Sequence, residues 1–279
     1  MSPPRCTVIG ASGFIGSHLV AHLEHGGTEV LAPPRGSGVV FSEDLGHVFY
    51  CAGLTADWRR RPLDAVHAHV EHLVEVLERA HFNSLLYLSS TRVYKRALAA
   101  KEDALLSVLP ADPDDLFDLS KMLGEAACLA DTRHQGATRV ARLSNVHGRD
   151  YRSDNFLPSV VRDALRGRVA LRTSLASAKD YVGVDEVAAL LPRIAMSGRE
   201  RVYNVASGVN TESRELLAEL ARLTGCALEV APGAPTTTFP VISVDRIWRE
   251  FDFTSRSVVT ALAGLVDDFR GQRQLWERP

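Results

Sequence analysis

The chain has 279 residues, 46% of them hydrophobic and 24% charged, with a net charge of −2. Such values suit one large buried core, or a nucleotide-sized domain with a smaller lobe grafted on. They exclude the basic surplus that nucleic acid or an anionic membrane would attract. No apolar run approaches the roughly 20 residues needed to cross a bilayer, and nothing behind Met1 reads as a signal peptide, so a cytoplasmic protein is expected. Cys6, Cys51, Cys128 and Cys226 show no pairing spacing and read as reduced thiols.

In chain order, residues 5–9 form a short apolar run ending in Gly10, and residues 14–24 carry helical periodicity. Residues 28–32 and 48–52 read as a second and a third strand. The stretch between them, 33–47, is too short for a full helix plus strand, so the sheet or the adenine pocket is expected to be abbreviated there. Pro62 opens a helix to about residue 80, with Val66, Val70, Leu73, Val74 and Leu77 on one stripe. Residues 84–90 read as a buried strand, 116–130 as a helix and 138–144 as another strand. Strands alternating with helices predict an α/β fold, a Rossmann-like doubly wound parallel sheet.

Beyond Gly148 the pattern loosens. Helices are predicted at 155–166, 185–195 and 212–224, a strand at 201–205 and a Pro/Thr-rich loop at 231–240. This predicts a smaller C-terminal substrate-binding lobe capping the sheet, where doubly wound folds place their ligand crevice. The expected division gives 1–149 and about 177–206 to a dinucleotide-binding domain, and about 150–176 and 207–279 to the lobe.

Gly10-Ala11-Ser12-Gly13-Phe14-Ile15-Gly16 follows a strand and opens a helix. Glycines there let the backbone approach a pyrophosphate, and the helix start offers free N–H groups and a partial positive charge. Gly10, Ser12, Gly13, Phe14, Ile15 and Gly16 are therefore candidate cofactor residues, joined by Cys51, Ala52 and Gly53 closing the third strand. After the second strand the chain supplies no acid to meet an adenine ribose. Arg35 could instead face a 2′-phosphate, which favours NADP over NAD.

Ser89-Ser90-Thr91-Arg92-Val93-Tyr94 and the Phe117-x-x-x-Lys121 helix carry the remaining signal. They resemble the Ser-Ser-x-x-Val-Tyr and Tyr-x-x-x-Lys segments of the extended short-chain dehydrogenases/reductases, the nucleotide-sugar epimerases, dehydratases and ketoreductases. The Gly-x-x-Gly-x-x-Gly spacing, Arg142 to Gly148, Asp180 to Val187 and Tyr203 to Gly208 extend the resemblance over about residues 5–208. It implies a nicotinamide cofactor, a sugar or nucleotide-sugar substrate, a homodimer and hydride transfer at a carbinol or ketone carbon, as in epimerisation or ketoreduction. Lys121 would hold the nicotinamide ribose, Ser90 would orient a substrate oxygen, and Thr91, Arg92, Asn145 and His147 would face substrate. Where a 4,6-dehydratase carries Asp-Glu this chain has Arg92-Val93, which argues against dehydration.

The departures are informative. Position 117, the proton-transfer tyrosine of the family, is phenylalanine, and His147 replaces a tyrosine. His69 falls near a position where the family often has asparagine, and Lys179 where sugar-nucleotide enzymes often have arginine. The diphosphate-gripping arginine has no counterpart near residues 236–240. Three accounts of Phe117 stand open: a deliberate Tyr-to-Phe change, an enzyme whose proton passes through His147, Tyr94 or Asp118, or a non-catalytic dinucleotide-binding relative. His67, His69, His72 and His81 lack the paired spacing of a metal helix, so no metal is expected.

Overall fold

The structure is a computed structural model that describes residues 4–54, 57–134 and 136–277. In chain order its first half holds β1 (Cys6–Ile9), α1 (Phe14–His25), β2 (Val30–Leu31), α2 (Val39–Ser42) and β3 (His47–Tyr50). Then come α3 (Pro62–Val66), a π-helical turn (His67–Glu71), α4 (His72–Arg79), β4 (Ser84–Ser90), α5 (Leu116–Ala130) and β5 (Thr138–Leu143). The second half holds β6 (Asn145–His147), α6 (Phe156–Leu165), β7 (Arg168–Leu171), β8 (Ala178–Gly183), α7 (Val184–Ser197) and β9 (Val202–Val205). It closes with β10 (Asn210–Glu212), α8 (Ser213–Thr224), β11 (Ala227–Val230), α9 (Asp245–Phe251), α10 (Val258–Gly271) and α11 (Arg273–Trp276).

A six-stranded sheet, ordered β2-β1-β3-β4-β5-β9, joins five strands of the first half to β9 of the second. Every pairing in it is parallel. Because side chains alternate along a strand, each strand feeds two cores. Phe49, Leu86, Leu88 and Ala141 meet α1, α7 and α9 on one face. Val48, Tyr50, Leu85, Tyr87 and Val140 meet α4 and the end of α5 on the other. Parallel strands buried on both sides explain the near-continuous apolar runs of the sequence. A further core joins α6, β7, α8 and α10, and two small sheets, β10-β8-β6 and β11-β7, border it.

The expected doubly wound α/β architecture is what the structure shows. The 33–47 stretch holds only the one-turn α2, and β2 is a two-residue strand at the sheet edge. One expected helix differs: residues 62–80 do not form a single α-helix but pass through the π turn at His67–Glu71. Apolar periodicity at 3.6 residues cannot report one inserted residue, and such insertions often mark functional sites. Here α5 crosses the turn so closely that a Cβ on Gly124 would lie 2.8 Å from the His69 carbonyl oxygen. The short strands β6, β7, β8, β10 and β11 and the helices α9 and α10 were not distinguished by pattern, since their pairing is long-range.

Candidate active site

Elementary backbone sterics build the first wall. Gly10 follows β1 at φ +89°, a conformation that disfavours side chains, and a Cβ on it would lie 2.7 Å from the Ala52 nitrogen. A Cβ on Gly16 would lie 2.2 Å from the Gly10 carbonyl oxygen. The turn therefore folds against both the third strand's exit and its own helix, and only glycine fits at either point. Gly13 begins α1 with no side-chain cap and no acid follows in the first turn. Its N–H groups thus remain available to an anion. These features fit a pyrophosphate-linked cofactor.

The second wall comes from β4 and α5. The Ser90 hydroxyl oxygen accepts from the Arg92 backbone N–H at 3.2 Å, capping a short 3₁₀ turn that follows the strand. Asp115 then ties that turn to the start of α5: its carboxylate accepts from Lys95 Nζ, Arg96 Nε and the Leu109 N–H at 2.6, 2.6 and 2.8 Å. Helical spacing places Phe117 and Lys121 on one face of α5. Lys121 Nζ donates to the Leu88 carbonyl at 2.9 Å, which aims the ammonium at the sheet's exit.

These elements enclose a cleft of about 530 Å³. Gly13, Phe14, Ile15, Cys51 and Gly53 line it, as do Ser90, Thr91, Arg92, Phe117, Lys121 and Asn145. The residues singled out on three separate motifs thus share one cleft. Asn145 holds its place by donating Nδ2 to the Asp180 carbonyl at 2.8 Å. Gly10, Ser12, Gly16 and Ala52 are not among the lining residues, and Gly10 packs against Ala52 while Gly16 packs against Gly10.

One expectation fails geometrically. His147 does not face the cleft: it pairs with Gly183 at the end of β6 and is buried beside Glu186 and Arg256. Alternation along the strand sets it on the opposite side from Val146, which does line the cleft. Arg35 sits on an exposed turn after β2, outside the lining residues. The other candidate proton carriers fare no better. Tyr94 lines the cleft, but its hydroxyl donates to Asn204 Oδ1 at 2.8 Å and accepts from Arg142 Nη1 at 2.7 Å. Asp118 lies outside the lining, buried against Arg92 Nε at 2.9 Å.

Burial dominates the electrostatics. It pulls Lys121 down to about 7, although Glu125 and Cys51 oppose the change. The Cys51 thiol is pushed up to about 12, again by burial, and is inert as a nucleophile. Asp118 is raised to about 6 because burial outweighs the neighbouring Arg92 and Lys95 cations. Lys179 stands on the far wall over the Phe156 ring, 5.3 Å from its centroid.

Sequence reasoning missed Trp58, Arg59 and Phe156 among the lining residues. Trp58 packs on Phe117 with centroids 5.6 Å apart, and Arg59 stacks over Trp58 at 4.5 Å. No motif signals them, because the Trp58–Phe117 contact joins segments far apart in the chain. The histidines disperse: His67 pairs with Glu71, and His69 turns inward to Ser120. Among the described residues no three metal-ligating side chains cluster, and no helix is long and apolar enough to cross a membrane.

Comparison with known proteins gives a consistent result. The family model described as NAD dependent epimerase/dehydratase family matches residues 6–206. The GDP-6-deoxy-D-mannose reductase of Pseudomonas aeruginosa is 26% identical over 250 residues, 81% of this chain and 82% of that protein. MoeE5 in complex with UDP-glucuronic acid and NAD is 25% identical at a TM-score of 0.78, covering 96% of this chain and 99% of that one. RMD from Pseudomonas aeruginosa complexed with NADPH shares the fold at a TM-score of 0.77 and 23% identity, covering 96% and 100%.

Proposed function

The chain belongs to the NAD dependent epimerase/dehydratase family, and from that premise we propose that it binds a nicotinamide dinucleotide and a nucleotide sugar in the shared cleft. The reaction is hydride transfer at a carbinol or ketone carbon, as in epimerisation or ketoreduction. The observation that carries this reading is convergence: Gly13 to Ile15, Ser90, Phe117 and Lys121 line one cavity from three elements. The cofactor, once bound, supplies the hydride acceptor or donor. Gly10 to Gly16 hold its pyrophosphate, Lys121 its ribose, and Ser90 orients the substrate oxygen. Arg92 and Lys179 offer cations to an anionic substrate, and the residues that follow Ser90 supply no acid for dehydration.

NADP is favoured over NAD, since no acid follows β2 and Arg35 makes no ion pair among the described residues. Residues 1–149 with about 177–206 form the cofactor domain in this reading, and the remainder the substrate lobe. Leu119, Leu123 and Leu129 lie exposed on α5, which suits a homodimer through that helix. A monomer by light scattering at micromolar concentration would remove the dimer.

A second reading has its own observation. None of Tyr94, Asp118 or His147 can replace a hydroxyl at position 117, because the first is doubly hydrogen-bonded and the other two lie outside the cleft lining. The chain as it stands would then be a dinucleotide-binding protein with little or no turnover. Identifying by mass the nucleotide released on denaturation tests the cofactor. Assaying Phe117→Tyr with NADPH or NADH and a keto-sugar nucleotide separates enzyme from binder.

A further inference from the structure

Arg92 is a cation placed beside position 117 in the cleft. Its backbone N–H donates to the Ser90 hydroxyl. Its guanidinium carbon lies 5.9 Å from the Phe117 ring centroid and 5.5 Å from that of Trp58. The head is held at two atoms: Nε lies 2.9 Å from an Asp118 oxygen, and Nη2 donates to the Asp114 carbonyl at 3.0 Å. A guanidinium carries five hydrogens. Both on Nη1 and the second on Nη2 therefore stay uncommitted among the described residues. The side chain is 26% exposed and lines the cleft, so these donors are within reach of what enters.

The positive charge is not cancelled locally. Asp118 supplies one negative charge, whereas Lys179 brings a second positive one from the far wall. Lys179 sits over the Phe156 ring, and after burial the influence that disfavours its ammonium is Arg92, a charge of the same sign. Two cations that repel each other in one cleft are both relieved by an entering anion. A nucleotide sugar brings a diphosphate, but that group hangs from the anomeric carbon. Arg92 instead flanks the residue at which the reacting carbinol or ketone would exchange its proton. An anion meeting Arg92 is therefore one borne by the sugar ring itself.

We propose that the substrate is a nucleotide-linked uronic acid, and that Arg92 is the specificity-determining residue that receives its carboxylate next to the reacting carbon. A guanidinium presents N–H groups in a planar fork that matches both oxygens of a carboxylate. Trp58, Phe117 and Asp118 fix the head in advance, so little side-chain freedom is lost on binding. The inference rests on the nucleotide-sugar reading of the cleft and names the class of sugar.

The test is calorimetry on the full chain with NADPH or NADH present. One series of ligands is UDP-glucuronic acid, UDP-glucose and UDP, and the other is GDP-mannuronic acid, GDP-mannose and GDP. The wild type is expected to bind the acid of one series about tenfold more tightly than its neutral sugar, or better. Arg92→Met should weaken the acid about 10- to 100-fold, the loss of a charge-assisted hydrogen bond, and leave the neutral sugar and bare nucleotide within about threefold. Arg92→Lys, which keeps the charge without the fork, should recover part of that loss. Arg92→Met leaves the buried Asp118 without its cation, so Arg92→Met with Asp118→Asn serves if the single variant fails to fold. Equal wild-type affinity for acid and neutral sugar overturns the carboxylate and leaves the nucleotide-sugar reading standing. A loss in Arg92→Met shared by the bare nucleotide also overturns it, because the cation would then serve the diphosphate. A wild-type chain that binds no member of either series overturns the nucleotide-sugar reading itself, and the carboxylate falls with it.

Discussion

Phe117 and His69 meet nearly at right angles, with ring centroids 5.2 Å apart and planes inclined at 88°. Trp58 closes the other side of Phe117. The ring is 4% exposed and lines the cleft beside Ser90 and Lys121, so in the proposed reading a hydroxyl at its tip would complete a proton-transfer site.

Phe117→Tyr is expected to raise turnover of a keto-sugar nucleotide by about 10²- to 10⁴-fold, the usual contribution of a positioned acid or base. Because the ring itself is retained, the urea midpoint should move little. Following NADPH or NADH oxidation by the loss of its near-ultraviolet absorbance reads the rate. Unchanged turnover with cofactor demonstrably bound would leave only the binding role.

Gly16→Ala should abolish dinucleotide binding. The added methyl would lie 2.2 Å from the Gly10 carbonyl oxygen, a backbone atom that cannot rotate away. Gly27, at positive φ but in open space, provides the control. Gly27→Ala should cost only about 1 kcal/mol of stability and leave calorimetric affinity intact.

Lys121→Met should lose ribose-dependent affinity yet stabilise the ligand-free protein at about pH 6. Burial lowers the lysine to about 7 from an ordinary 10.5. The unfolded chain therefore holds a proton that the native state releases between those two values, and native stability rises with pH across that window. The cost of burying the ammonium is complete below about pH 7 and fades towards pH 10.5. The melting-temperature advantage of the methionine variant should accordingly be larger at about pH 6 than at about pH 9. An advantage independent of pH would contradict the depressed lysine.

Asp118→Asn tests the opposite sign. The carboxyl is raised from 3.8 to about 6, chiefly by burial, with Arg92 and Lys95 opposing and Asp115 assisting. Between roughly pH 4 and 6 the native state keeps a proton that the unfolded chain lacks, so wild-type stability falls as pH rises through that window. The asparagine variant should lose that part of the slope. Urea midpoints of the two proteins from about pH 4 to 7 measure it, and parallel curves would refute the raised carboxyl.

The chain's own residues announce a good deal of this site. Gly10, Gly13 and Gly16 are legible because a tight strand-to-helix turn is a local backbone demand, set by sterics over a short stretch of chain. Phe117 and Lys121 are legible because four positions are about one helical turn, and the near-continuous apolar runs declare parallel strands buried on both faces. Tertiary structure alone decides the rest. It brings Trp58 onto Phe117, seats Asp115 between Lys95 and Arg96, occupies the Tyr94 hydroxyl with Asn204 and Arg142, and turns His147 out of the cleft. It also inserts the π turn that carries His69 to Ser120, 51 positions away. Those contacts join residues whose separation leaves no periodic trace, and their energy arises only when packed helices and sheet exclude water around them. Local conformational rules therefore fix where a cofactor can be cradled, whereas long-range burial determines which side chains remain free to act on what enters.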